Sequence, residues 1–151
     1  MPSSVISFMR KACLLCDRSK CGYKTGCVCV TSGTVLLESF NETLPGELFC
    51  QNGNCFREQN NLKGGTNIDM VCSIHAEATL VAKAASEGIS IKGSDIYVST
   101  FPCLICARLL AKAKIKNLYY MSSYMGGNKA APILEAAGVK LINIPKEEVW
   151  N

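Results

Sequence analysis

The chain has 151 residues, 48% of them hydrophobic and 19% charged, with a formal net charge of +4. That length suits one domain with a real core, the balance excludes a disordered chain, and the modest, dispersed charge gives no reason to expect a nucleic-acid partner. Ten cysteines would fit a secreted disulfide scaffold, but Val5, Ile6, Phe8 and Met9 before Arg10 and Lys11 are too few for a signal-peptide core, and no run of about 18 apolar residues could span a membrane. The expectation is a cytoplasmic chain whose thiols are reduced or metal-bound.

Residues 3–19 read as a first helix capped by Ser3 or Ser4. Val5, Phe8, Ala12 and Leu15 recur at helical spacing, so this face should pack on a sheet, with Cys13 and Cys16 as small apolar groups nearby. Residues 26–31 and 34–40 read as an antiparallel hairpin across Ser32-Gly33. Cys27 and Cys29 should face one side of it and Val28 and Val30 the other. Residues 41–71 hold Pro45-Gly46, Gly53, Gly64-Gly65 and many amide side chains. So long a loop in a small domain signals function or metal, and a short helix is expected near residues 55–60. A helix over 74–86, stopped by Gly88, follows, then a strand over 94–99 and a helix from Cys103 to about Lys114. A strand over 116–121, a helix over 130–137 ended by Gly138, and a strand over 139–144 ended by Pro145 complete the order. This alternation predicts an α/β fold: a three-layer α-β-α sandwich with a five-stranded mixed sheet, in one domain covering 1–151.

The chemistry concentrates between Cys72 and Cys106. His75-Ala76-Glu77 and Pro102-Cys103-Leu104-Ile105-Cys106 each open a helix. One imidazole and two thiolates one helical turn apart can hold zinc in three positions and leave a fourth for water, as in a catalytic rather than a structural site. Unpaired amides at helix starts favour negative charge and lower thiolate pKa values, and Pro102 loses nothing there. Glu77 is placed to handle the proton of that water. His-x-Glu followed by Pro-Cys-x-x-Cys is the pattern that zinc-dependent deamination of a base uses. The backbone amide of Cys103 and a carbonyl at Ser99 or Thr100 are expected at the base edge. Two blander readings stand beside this one: a redox-active Cys-x-x-Cys, or a structural zinc completed by Cys72. Cys50, Cys55 and Cys72 could also clamp the long loop around a second metal. Arg57, Lys24, Arg108 and Lys129 are candidate receptors for a phosphate, and Tyr124 could stack on a pyrimidine or cap the pocket.

Further segments carry a resemblance. They are Ser39-Phe40-Asn41-Glu42-Thr43-Leu44-Pro45-Gly46, Cys55-Phe56-Arg57, Cys72-Ser73-Ile74-His75-Ala76-Glu77, Leu118-Tyr119-Tyr120 with Tyr124, and Ile133-Leu134-Glu135-Ala136-Ala137-Gly138-Val139. Over nearly its whole length the chain resembles the deoxycytidylate (dCMP) deaminases of the cytidine deaminase-like superfamily. The resemblance implies catalytic zinc (Zn2+) on His75, Cys103 and Cys106, Glu77 as the proton carrier, and conversion of dCMP to dUMP with release of ammonia. It implies Asn41 on the deoxyribose 3'-hydroxyl; Thr100, Pro102, Tyr124 and Arg57 are further candidate substrate contacts. It also suggests a second, structural zinc among Cys21, Cys50, Cys55 and Cys72, dCTP and dTTP effectors with Mg2+, and a homo-oligomer, dimer or hexamer. The chain departs from the family's pattern at Ser39 and Glu42, which replace glycines, at Pro45, which falls one place late, and at Thr79, where an asparagine is expected. Deamination of another free cytosine nucleotide or nucleoside, or of a base in tRNA or another polynucleotide, stays open. So does an inactive zinc-bound scaffold.

Overall fold

The computed structural model describes residues 1–47, 50, 55–67, 72–123 and 127–151. Strands β1 (Gly26–Thr31), β2 (Thr34–Phe40), β3 (Asp95–Thr100), β4 (Asn117–Ser122) and β5 (Lys140–Asn143) form one sheet in the order β2-β1-β3-β4-β5. β1 runs antiparallel to both β2 and β3, while β3, β4 and β5 are mutually parallel. The antiparallel half needs only a tight turn: Ser32 and Gly33 lie at φ 50° and 75°, the positive φ that a type I′ hairpin requires at both central residues. The parallel half needs crossovers, and helices supply them.

The helices are α1 (Ser3–Leu15), α2 (Phe56–Gln59), α3 (Ala76–Glu87), α4 (Leu104–Lys112), α5 (Gly127–Ala136) and α6 (Lys146–Trp150). All but α2 sort by sheet face. Met9, Ala12 and Leu15 of α1 and Val149 of α6 pack with Val28, Val30, Tyr97 and Ile144. Ala76, Leu80 and Ala84 of α3, Ala107 and Leu110 of α4, and Ala130 and Leu134 of α5 pack with Cys27, Cys29, Ile96, Val98 and Leu118. The alternation expected along β1 therefore divides the two cores, and the sheet lies between two helical layers.

Three details differ from the expectation. Pro2 occupies the position before α1 and makes no side-chain cap, so neither Ser3 nor Ser4 caps the helix. Helix α1 stops at Leu15 and tightens into a 3-10 turn, Cys16–Arg18. Helix α6, which was not foreseen, follows Pro145 and is fastened by Arg10, whose Nε and a terminal guanidinium N–H donate to the Val149 carbonyl at 3.0 and 2.7 Å. Its five residues are too few to show a helical period. No helix among the described residues is long and apolar enough to cross a membrane.

Gly26 sets how closely α1 approaches the sheet. A Cβ there would stand 2.0 Å from the Ala12 carbonyl oxygen and 2.9 Å from the Leu15 Cβ. Gly26→Ala should therefore push α1 off β1 and destabilise the fold by about 1–3 kcal/mol. An unchanged midpoint in urea denaturation would contradict this packing.

Candidate active site

Two helix starts are brought side by side. His75 stands at the N-cap of α3 in extended conformation, φ −62° and ψ 152°, and its carbonyl receives the first helical bond, from the Thr79 N–H at 2.9 Å. Two contacts hold this start. Ile74 and Glu42 exchange backbone hydrogen bonds of 2.8 and 3.1 Å, and the Ser39 hydroxyl donates to the Ala76 carbonyl at 2.7 Å. Cys103 is the N-cap of α4, φ −68° and ψ 167°, and the Ala107 N–H donates to its carbonyl at 2.9 Å. The turn from β3 into α4 is fastened to β4 by the Phe101 N–H on the Ser122 carbonyl at 2.8 Å.

His75 Nδ1 lies 3.4 Å from Cys103 Sγ and 3.6 Å from Cys106 Sγ. The three atoms lie within 4.8 Å of one another and are the one such group among the described residues. A nitrogen and a sulfur on one tetrahedral zinc stand about 3.5 Å apart, so the three donors fit zinc as placed. Cys72 does not join them: its sulfur is 2.9 Å from Cys50 Sγ. A structural zinc completed by Cys72 therefore finds no support here.

The electrostatics match the donor set. Hydrogen bonds from the Cys106 thiol and the His75 ring hold Cys103 down to about 4, against its burial. The Cys106 N–H also points at that sulfur, at 3.4 Å. The bond to Cys103, with burial, pushes the Cys106 thiol up. The bond to Cys103 raises His75. Glu77, only 3% exposed, is pushed up by burial to about 7, although its own N–H, His75 and Cys106 favour the charged form.

A cavity of about 400 Å3 opens over this group, within the range of small-molecule sites. His75, Glu77 and Cys103 form its floor, and Asn41, Arg57, Thr100, Cys21, Cys50, Cys55 and Cys72 stand in its walls. Asn41 is already engaged: its amide donates to the Tyr23 carbonyl and accepts from the Thr25 N–H at 2.9 Å. Arg57 is buried and donates to the carbonyls of Lys63 and Thr66, both at 2.9 Å, so it holds the far loop in shape. Pro102 is fully buried and is not among the lining residues. Of the candidate phosphate receptors, Lys24 and Arg57 line the cavity; Arg108 and Lys129 are exposed elsewhere. Tyr124 lies outside the described residues. Phe101, Ser122 and Ser123 also line the cavity and went unremarked in the sequence, because the register of β3 against β4 is what brings them there. Thr79 Oγ1 is buried with no hydrogen-bond partner among the described residues.

With that geometry in hand, comparisons with known proteins agree on one relationship. The family model described as the cytidine and deoxycytidylate deaminase zinc-binding region matches residues 2–122. The chain is 33% identical over 141 residues to a deoxycytidylate deaminase of Schizosaccharomyces pombe, covering 93% of this chain and 44% of that protein. It therefore spans less than half the length of that relative. It is 28% identical over 145 residues to ComE operon protein 2 of Bacillus subtilis, covering 94% of this chain and 71% of the other. Among solved structures, dCMP deaminase from the cyanophage S-TIM5, in complex with dCMP and dUMP, superposes with a TM-score of 0.75 at 26% identity, over 95% of this chain and 99% of that one.

Removing either thiol ligand should remove the metal. We expect Cys103→Ala or Cys106→Ala to weaken zinc binding by at least about 100-fold, more than the loss of an outer-shell partner costs. Zinc titration against a chromogenic chelator checks this, and unchanged affinity would exclude the donor set.

Proposed function

Because the chain belongs to the family defined by the cytidine and deoxycytidylate deaminase zinc-binding region, we propose that it hydrolyses dCMP to dUMP and ammonia. The observation that carries this reading is the His75, Cys103 and Cys106 donor group, of which His75 and Cys103 line a cavity that buried Glu77 also lines. A zinc ion held by these three would supply Lewis acidity that readies a water for attack near neutral pH. Glu77 accepts a proton from that water. It delivers the proton to the ring nitrogen next to the amine-bearing carbon, and then helps protonate the departing amine. The water oxygen stays on the ring, ammonia leaves, and Glu77 returns to its starting state. Cys103 and Cys106 hold charge at the start of α4, and His75 Nδ1 at the start of α3 completes the set.

The walls support a free nucleotide as substrate. Phe101 offers an aromatic edge, held at 82° to Tyr120 with ring centroids 4.7 Å apart. Thr100, Ser122 and Ser123 offer hydroxyls, and Lys24 a cation for the phosphate. Asn41 keeps one donor and one acceptor free for a sugar hydroxyl. A second, structural zinc on Cys21, Cys50, Cys55 and Cys72 draws support from four thiols on one wall, but Cys50 and Cys72 would first have to part to about 3.8 Å. A count of two zinc ions per chain would carry it. Responses to dCTP and dTTP with Mg2+ belong to the same assays. A homo-oligomer is supported by a second cavity of about 310 Å3 beside the metal ligands, with Ile74 and Ile105 exposed on its rim. Sedimentation checks this.

Ammonia release should be fastest with dCMP in a panel that also holds CMP, deoxycytidine, dCTP and short RNA. A preference for RNA would move the reading to a polynucleotide deaminase. Folded, zinc-loaded protein inert on every member would favour a scaffold. Glu77→Gln should keep zinc and lower kcat by about 100- to 10,000-fold; loss of zinc together with turnover would assign Glu77 to the metal instead. Lys24→Ala should raise KM for dCMP while leaving deoxycytidine unchanged, and an equal effect on both would remove Lys24 from the phosphate.

A further inference from the structure

Away from the metal donors, two thiols on the cavity wall are in contact. Cys50 Sγ and Cys72 Sγ stand 2.9 Å apart, and no cysteine of the chain is in a disulfide. Two thiolates on one tetrahedral zinc would stand about 3.8 Å apart, and a disulfide bond is about 2.05 Å long. The pair thus lies inside the spacing that a shared metal would impose and within an ångström of bonding. Each sulfur is set by a different local device. Cys50 sits at φ 57°, a left-handed conformation few residues other than glycine adopt. Cys72 stands two residues before the Ile74–Glu42 bridge. Cys50 is 7% exposed, whereas Cys72 is half-buried and lines both cavities. Cys72 is therefore the sulfur that a small oxidant reaches.

We propose that Cys50 and Cys72 are a redox pair that closes to a disulfide under hydrogen peroxide, fastening the loop wall of the cavity to the segment leading into His75. The Cys72 sulfur attacks one peroxide oxygen, the O–O bond breaks, and water leaves, giving a sulfenic acid. The Cys50 sulfur then attacks the Cys72 sulfur and displaces the hydroxyl, which departs as a second water carrying the Cys50 proton. One peroxide is reduced to two waters as two thiols are oxidised to one disulfide. The closed segment, residues 50–72, contains α2 and Arg57, and the cross-link restricts it most in the unfolded chain. The inference rests on the sulfur geometry and is independent of which base the protein deaminates.

The test treats zinc-loaded, full-length protein with dilute hydrogen peroxide, alkylates the remaining thiols and maps disulfide-linked peptides by mass spectrometry, with zinc counted before and after. We expect a Cys50–Cys72 cross-link, reversal by dithiothreitol, and an unfolding temperature raised by about 5 °C or more. Neither the cross-link nor the shift should appear in Cys72→Ser. A cross-link accompanied by release of a second zinc supports the proposal equally, because the pair is then oxidised out of a metal-bound state. Full alkylation of both thiols after peroxide overturns it, as does a link joining Cys21 to Cys50 or Cys103 to Cys106 instead. The mapping is read on the unsubstituted protein, so a variant that fails to fold does not blunt the test. Deaminase activity without this cross-link would leave the proposed reaction standing and sink the redox pair alone.

Discussion

Two helices begin at the same point in space, and everything functional depends on that convergence. Each helix start leaves amides without intrahelical partners. Here the residues at the two N-caps are His75 and Cys103, with Cys106 one turn into α4. The amides make that corner hospitable to sulfur anions, and two sulfurs so close make it hospitable to a cation. Neither half works alone. A Cys-x-x-Cys at one helix start has two donors, and the histidine that makes it a three-donor set arrives from another helix.

The sheet is what allows the convergence. Because β3, β4 and β5 are parallel, the chain leaves each at the same edge, where the open ends of α/β sheets commonly bind ligands. Helix α4 starts directly beyond β3, and α3 is drawn to the same edge by contacts with β2 and the residues after it. Ser39 is instructive. Set against the resembled motif it is a substitution for glycine, yet its hydroxyl holds the Ala76 carbonyl. Lys83 Nζ ties the same helix to the Glu38 carbonyl at 2.6 Å. These polar links place the histidine laterally, while Leu80 and Ala84 press the helix onto the sheet.

The far wall is built on another principle. Among the described residues of 41–67, none belongs to the buried set of either core, and polar clasps stand in for hydrophobic burial. Asn41 spans the backbone of Tyr23 and Thr25, Ser19 donates to the Asn41 carbonyl at 2.8 Å, and Arg57 gathers the carbonyls of Lys63 and Thr66. The Tyr23 ring lies against Gly64, where a Cβ would meet its hydroxyl at 2.5 Å. The thiols of Cys21, Cys50, Cys55 and Cys72 sit among these clasps.

Much of this was legible along the chain, because the signals are local. A two-residue alternation assigned Cys27 and Cys29 to one core and Val28 and Val30 to the other. The His-x-Glu and Pro-Cys-x-x-Cys spacings named the donors, and the order of strand and helix periods implied a sandwich around a mixed sheet. What local pattern cannot carry is a contact between distant segments. Only the folded sheet determined that Lys24, and not Arg108 or Lys129, reaches the cavity, and that Phe101, Ser122 and Ser123 line it. The fold also turned Cys72 toward Cys50 and away from the metal donors, committed the Asn41 amide to backbone, and docked a five-residue helix under Arg10. Periodicity reports which face of an element is apolar; which neighbour meets that face follows from strand order and register.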